Sequence, residues 1–159
     1  MKKSLLTMIA AAMSLSIMAA TSTPEGFTDD LDAAIAASKK SGKTVYAVFS
    51  GSDWCYWCKV LEAGYLSKKD FVNEASKEFE LVFIDTPRDK SKLSENARAK
   101  NPTLIKKYGI RYFPTVMFIS ADGIGSGASS PDKGATPKEW ARQLAKEAKS
   151  LSKTAKKKP

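Results

Sequence analysis

Two cysteines, Cys55 and Cys58, are the only thiols among 159 residues, and two positions separate them. They follow a strand-like run, Thr44–Ser50, and open a helix-like segment. On a helix, residues i and i+3 share a face with their Cβ atoms about 5–6 Å apart. A disulfide needs a Cα separation of about 4.4–6.8 Å. The pair can therefore be reduced or oxidised on nearly one backbone. If a helix begins near Cys55, that sulfur faces unpaired backbone N–H groups and the positive end of the helix dipole, which favour the thiolate. Cys58, a turn deeper, is expected to be the more buried. The expectation is that Cys55 attacks a substrate disulfide and Cys58 resolves the mixed disulfide.

A cysteine pair has two other uses. As a structural staple it gains little, because closing a four-residue loop contributes about 2 kcal/mol against about 3 kcal/mol for fifteen residues. As a zinc site it lacks ligands: the chain has no histidine and no second cysteine pair, whereas structural zinc takes four.

Residues 1–20 have the pattern of a secretory signal peptide. Lys2 and Lys3 precede a mostly apolar Leu5–Met18, and small residues mark a cleavage zone at about 19–22. The apolar stretch is short for a membrane span of ~20 residues. No cysteine lies near the cleavage zone, which argues against a lipid-modified N-terminus. The expectation is an exported protein, periplasmic or else secreted, that does not span the membrane when mature. In an oxidising compartment a dithiol must be kept reduced by a partner.

The remaining ~138 residues suit one domain. The net charge of +9, or +7 without Lys2 and Lys3, is concentrated near the end in Lys153, Lys156, Lys157 and Lys158. We divide the chain into the signal peptide, a domain over 23–152 and a basic tail over 153–159. Such a tail can touch nucleic acid, anionic lipid or an acidic partner, or be a solvated, frayed terminus; without interleaved aromatic and basic residues it does not suggest an RNA-binding module, and no nucleic-acid partner is expected.

The apolar pattern predicts a helix from Phe27, Leu31 and Ile35, capped by Thr28 and ended by Gly42. A strand at 44–50 and the cysteine helix toward Tyr65 follow. Ser67 and Asp70 suggest a capping box for the next helix. The continuous apolar runs at 81–84 and 116–119 are expected to be the centre of the sheet. Between them Ser91–Lys100 predicts a helix broken near Pro102. A weak edge strand is expected within the Gly125–Gly134 loop. Thr136-Pro137-x-Glu139 starts a last helix, with Trp140, Leu144 and Leu151 facing the core. This order implies an α/β fold with the dithiol past the C-terminal end of a strand, where open α/β sheets place their chemistry.

Trp54-Cys55-x-x-Cys58-Lys59 after a strand, with Tyr108-Gly-Ile-Arg-Tyr-Phe113-Pro114-Thr115 before a later one, resembles the thioredoxin superfamily. The likeness covers about 27–152 and is greatest to exported bacterial members, including the C-terminal domain of the periplasmic disulfide reductase. It implies a central mixed β-sheet flanked by helices, here with an extra N-terminal helix. It also implies a redox-active Cys55–Cys58 disulfide with no metal or organic cofactor, and a cis Pro114 facing it. By the same resemblance, Phe113 offers backbone to an extended substrate segment, and Trp54 shields one side. Tyr56 and Trp57 form an apolar lip. The buried acid that thioredoxins carry before the motif is replaced by Val48 and Phe49, leaving water, Lys59 or Asp53 to move the proton of Cys58.

The implied activity is exchange of disulfides with protein substrates, as a reductant more than a strong oxidant, since no histidine stands between the cysteines. The partners would be proteins with cysteines or disulfides, and a membrane-embedded or periplasmic redox protein. The competing expectation is a non-catalytic protein-binding module in which the disulfide is only structural. A dedicated carrier in cytochrome or metal-site assembly is a third.

Overall fold

The computed structural model describes residues 22–157, so the expected signal peptide lies outside the described residues. The elements, in chain order, are α1 (Leu31–Ser41), β1 (Thr44–Ser50), α2 (Tyr56–Leu61), α3 (Lys69–Ala75), β2 (Phe79–Asp85), α4 (Glu95–Lys107), β3 (Thr115–Ile119), β4 (Gly125–Gly127) and α5 (Pro137–Lys157). A π-helical turn, Glu62–Leu66, prolongs α2, and a 3-10 turn at Lys90–Lys92 precedes α4.

The four strands form one mixed sheet in the order β2-β1-β3-β4. β1 runs parallel to β2 and antiparallel to β3, and β3 is antiparallel to β4. Alternate residues of a strand point to opposite faces. Tyr46, Val48, Leu81, Phe83, Val116 and Phe118 thus meet Phe71 of α3 and Trp140 and Leu144 of α5. Val45, Ala47, Phe49, Val82, Ile84 and Ile119 meet Leu31 and Ala34 of α1 and Leu104 of α4. Helices cover both faces, which is why β1 is apolar at successive positions.

The run at 81–84 lies in the outermost strand, not at the centre of the sheet; the inner strands are β1 and β3. Its continuous apolar character reflects helices on both faces, not its place in the strand order. Its outer edge is also covered. The Thr28 N–H donates to the Leu81 carbonyl at 3.0 Å, and the Phe83 N–H donates to the Thr28 carbonyl at 2.8 Å. That pairing removes part of an exposed sheet edge.

Other boundaries differ from expectation for local reasons. Asp30, not Thr28, caps α1: its Oδ1 accepts from the Ala33 N–H at 3.1 Å, while Thr28 Oγ1 accepts from the Asp30 N–H. The Ser67/Asp70 capping box is not formed. The chain enters α3 through Lys68, which makes no side-chain cap, because the Ser67 N–H closes the π-turn on Glu62. α4 continues through Pro102 without a break. Proline removes one internal hydrogen bond there, but Ala97, Asn101 and Leu104 are buried on both sides of it, and the Asn101 amide donates to the Asp85 carbonyl at 2.7 Å.

The final helix begins as expected, with reciprocal hydrogen bonds between Thr136 and Glu139. Leu151, however, is 40 % exposed and does not face the core. A helix of 21 residues is ~31 Å long, against ~23 Å for a seven-residue strand, so its last turns overhang the sheet. It continues to Lys157, into the stretch assigned to the tail.

Candidate functional site

β1 ends at Ser50, and a turn carries the chain into α2. The N–H groups of Trp54 and Cys55 donate to the Gly51 carbonyl at 3.2 and 2.8 Å. Cys55 is the N-cap residue of α2, in extended conformation, and its Sγ accepts from the Cys58 N–H at 3.2 Å. The two cysteines form a disulfide with a Cα separation of 5.3 Å. Cys58 is 2 % exposed and Cys55 7 %, so the residue at the helix start is the less buried of the two.

Three aromatic residues, Trp54, Tyr56 and Trp57, adjoin the two cysteines in the chain. The Trp54 indole stands edge-on to Phe113, with ring centroids 5.4 Å apart, and its Nε1–H donates to the Thr86 carbonyl at 2.8 Å. At 39 % exposure it is not a core residue. Tyr56 and Trp57, 68 % and 66 % exposed, meet edge to face at 5.1 Å. The Phe113–Pro114 peptide bond is cis, and Thr115 Oγ1 donates to the Tyr112 carbonyl just before it. Pro114 and Trp57 share a cleft of about 430 Å3 with Val60, Leu61, Tyr65, Val116, Pro131 and Trp140. This lies within the about 300–1,000 Å3 of small-ligand sites.

The groups expected to serve Cys58 as proton carriers are committed elsewhere. Lys59 Nζ donates to the Asp53 carbonyl at 2.9 Å. The Asp53 carboxylate accepts from the N–H groups of Asp89 and Arg88, and these bonds hold its pKa below the ordinary value. Val48 and Phe49 are fully buried in the core.

A group that the sequence reading missed stands one turn beyond Cys58. Glu62 is half-buried; desolvation, then the nearby Asp85, raises its pKa. Asp85, at the end of β2, is 1 % exposed and accepts from the N–H and hydroxyl of Ser52. Glu62 also borders a polar hollow of about 760 Å3 lined in part by Ser52, Lys59, Lys68 and Lys92. The signal available was its i+4 spacing from Cys58, which places both on one helix face. Among the described residues no group of three or more His, Cys, Asp or Glu side chains is placed to hold a metal ion.

Comparison with known proteins gives relatives of the same fold. The disulfide bond reductase DsbH of Chlamydia pneumoniae is 34% identical over 90 residues, 57% of this chain and 54% of that protein, so the match spans about half of the relative. A solved structure of a DsbH oxidoreductase aligns over 95% of both chains, with a TM-score of 0.66 and 24% identity. A disulphide isomerase from Xylella fastidiosa Temecula1 aligns over 80% of this chain and 97% of that one, with a TM-score of 0.54 and 23% identity. At such identities these two structures speak to the fold. The family profile described as thioredoxin-like domain matches residues 31–149, three quarters of the chain and every element from α1 to most of α5, and on that ground the protein belongs to the thioredoxin-like domain family.

Proposed function

We propose that this protein is an exported thiol-disulfide oxidoreductase that reduces disulfides in protein substrates. The observation that carries the reading is the Cys55–Cys58 bond itself, with its less buried cysteine at the N-cap of α2. In the reduced protein the Cys55 thiolate attacks one sulfur of a substrate disulfide. A mixed disulfide forms and the other substrate sulfur leaves as a thiolate. Cys58 gives its proton to the Glu62 carboxylate and attacks Cys55 Sγ, which releases the second substrate thiolate. Two electrons pass to the substrate, and Cys55–Cys58 is left oxidised. A redox partner, membrane-embedded or periplasmic, must then restore the dithiol. The chemistry needs no metal or organic cofactor.

The name disulfide bond reductase carried by the Chlamydia relative supports the reducing direction. Lys2, Lys3 and the apolar segment after them support export to the periplasm, and none of the described helices is long and apolar enough to cross a membrane. Trp57 and Pro114, with their cleft, support a polypeptide substrate docked beside the dithiol. Phe113 would lend its backbone to that segment, and Trp54 would cover the other side.

The test is reduction of insulin with dithiothreitol as the electron source, together with a redox titration. The wild type should accelerate precipitation, Cys55→Ser should not, and Cys58→Ser should accumulate a mixed disulfide on Cys55. The potential should lie between about −270 and −180 mV, the range from thioredoxin to disulfide isomerase. Equal rates for wild type and Cys55→Ser would leave a structural disulfide and overturn the reading.

A further inference from the structure

The end of the molecule opposite the disulfide carries a surface that thiol chemistry does not use. β1 sets the separation: the turn to the disulfide follows its last residue, Ser50, and Thr44, its first, lies ~20 Å from Ser50. Thr44 borders two hollows. One, of about 450 Å3, is lined by Phe118, Ile124, Ala148 and Leu151 together with Asp122 and three serines. Ile124 is 71 % exposed and Leu151 40 %. The other, of about 470 Å3, lies against Lys43, Lys77, Glu78 and Lys149. Both hollows share Thr44, Ala148 and Ser152, so the apolar and basic surfaces are continuous.

Lysines outnumber acids at this pole. The last turn of α1 adds Lys39 and Lys40, and the overhanging end of α5 adds Lys153. Against them stand Glu78, paired with Lys149 at 2.7 Å, Glu80, which accepts from the Ser41 hydroxyl, and Asp122. Lys77 is paired with Glu74, and Lys43 Nζ donates to the Ser76 carbonyl. Lys39, Lys40 and Lys153 make no ion pair among the described residues. The sequence then continues with Lys156, Lys157 and Lys158.

Exposed aliphatic side chains in a hollow that adjoins a lysine-bearing one fit the boundary between acyl chains and headgroups. A water-facing polyanion would use the charges and leave Ile124 and Leu151 without a role. We infer that this pole binds peripherally to an anionic lipid surface, with Ile124 and Leu151 entering the headgroup layer and the lysines facing acidic lipids. In that orientation the disulfide points away from the membrane, toward soluble substrates.

Flotation of the full chain with vesicles tests this. Phosphatidylcholine vesicles report what the apolar N-terminal segment contributes by itself, and vesicles that also contain phosphatidylglycerol report the pole. The anionic vesicles should bind more tightly, and the excess should vanish at high salt. Lys40→Gln with Lys153→Gln should reduce the excess about thirtyfold, and Ile124→Ser with Leu151→Ser should reduce it as well. Unchanged insulin reduction and melting temperature would show that both double variants are folded. Equal binding to the two vesicle types, or an excess that neither pair of substitutions alters, overturns the inference. An excess sensitive to the lysines but not to Ile124 and Leu151, and removed by polyaspartate, would assign the pole to an acidic polymer instead and also overturn it.

Discussion

The backbone N–H of Glu62 donates to the carbonyl of Cys58, so its carboxyl rises from the turn of helix directly after the buried sulfur. Burial and the neighbouring Asp85 raise its pKa. A carboxyl whose pKa is moved toward neutrality can accept a proton and pass it on more evenly than an ordinary one. Thioredoxins place their acid on the strand before the motif; in this chain Val48 and Phe49 take those positions, and the carboxyl one turn beyond Cys58 is Glu62.

Glu62→Gln should therefore slow resolution of the mixed disulfide by about 10²-fold, with Cys55 alkylation unchanged. Stopped-flow trapping of the mixed disulfide would measure this, and an unchanged rate would return the proton to water. The same substitution has a stability signature. A carboxyl with a raised folded pKa opposes folding once it ionises. The penalty is absent below the ordinary value and grows as pH rises through the folded one. Glu62→Gln should thus melt above the wild type at pH 7 and together with it near pH 4.

Trp57 is two-thirds exposed yet forms one wall of the apolar cleft beside Pro114. A polypeptide can fill that cleft, whereas a small disulfide reaches the sulfur without touching it. Trp57→Ala should lower kcat/KM for insulin about tenfold, equivalent to about 1.4 kcal/mol of lost contact, and leave the rate with a small aromatic disulfide unchanged. Equal losses on both substrates would make Trp57 a support of the disulfide instead.

Continuous apolar runs exposed the strands buried on both faces, and period-3.6 spacing exposed the last helix through the face it buries. Strand order was not legible at 81–84, since a strand buried on both faces has the same apolar pattern at an edge as in the centre. Pro102 suggested a break because local propensity carries no information about the buried contacts of Ala97, Asn101 and Leu104. Cys55 and Cys58 were legible from spacing alone. Glu62 was not, because a glutamate on a short amphipathic helix is ordinarily solvated; what distinguishes it is Asp85, brought from 23 positions away by β2.

Gly51 holds the turn that presents Cys55, and a methyl group on its Cα would overlap the Trp54 indole. Gly51→Ala should force the ring off Phe113 and break the Nε1–H bond to Thr86. The observable is the tryptophan emission difference between oxidised and reduced protein, which should shrink, together with faster alkylation of Cys55 as its cover leaves. A spectrum and alkylation rate like those of the wild type would show that Trp54 does not shield the site.

Away from the site, Glu74 ties α3 to α5. Its Oε1 accepts from Arg142 Nε at 3.0 Å and its Oε2 from Lys77 Nζ at 2.9 Å. These two partners lower its pKa from 4.5 to about 2, Lys77 contributing most. A carboxyl with a depressed folded pKa contributes stability that is fully present above its unfolded value and is lost as pH falls through the folded one. Glu74→Gln should therefore melt below the wild type at pH 7. The gap should narrow as pH falls from about 4.5 toward 2 and should also narrow with added salt, because exposed pairs are screened. A gap independent of pH would trace the loss to packing between α3 and α5 and not to the charge on Glu74.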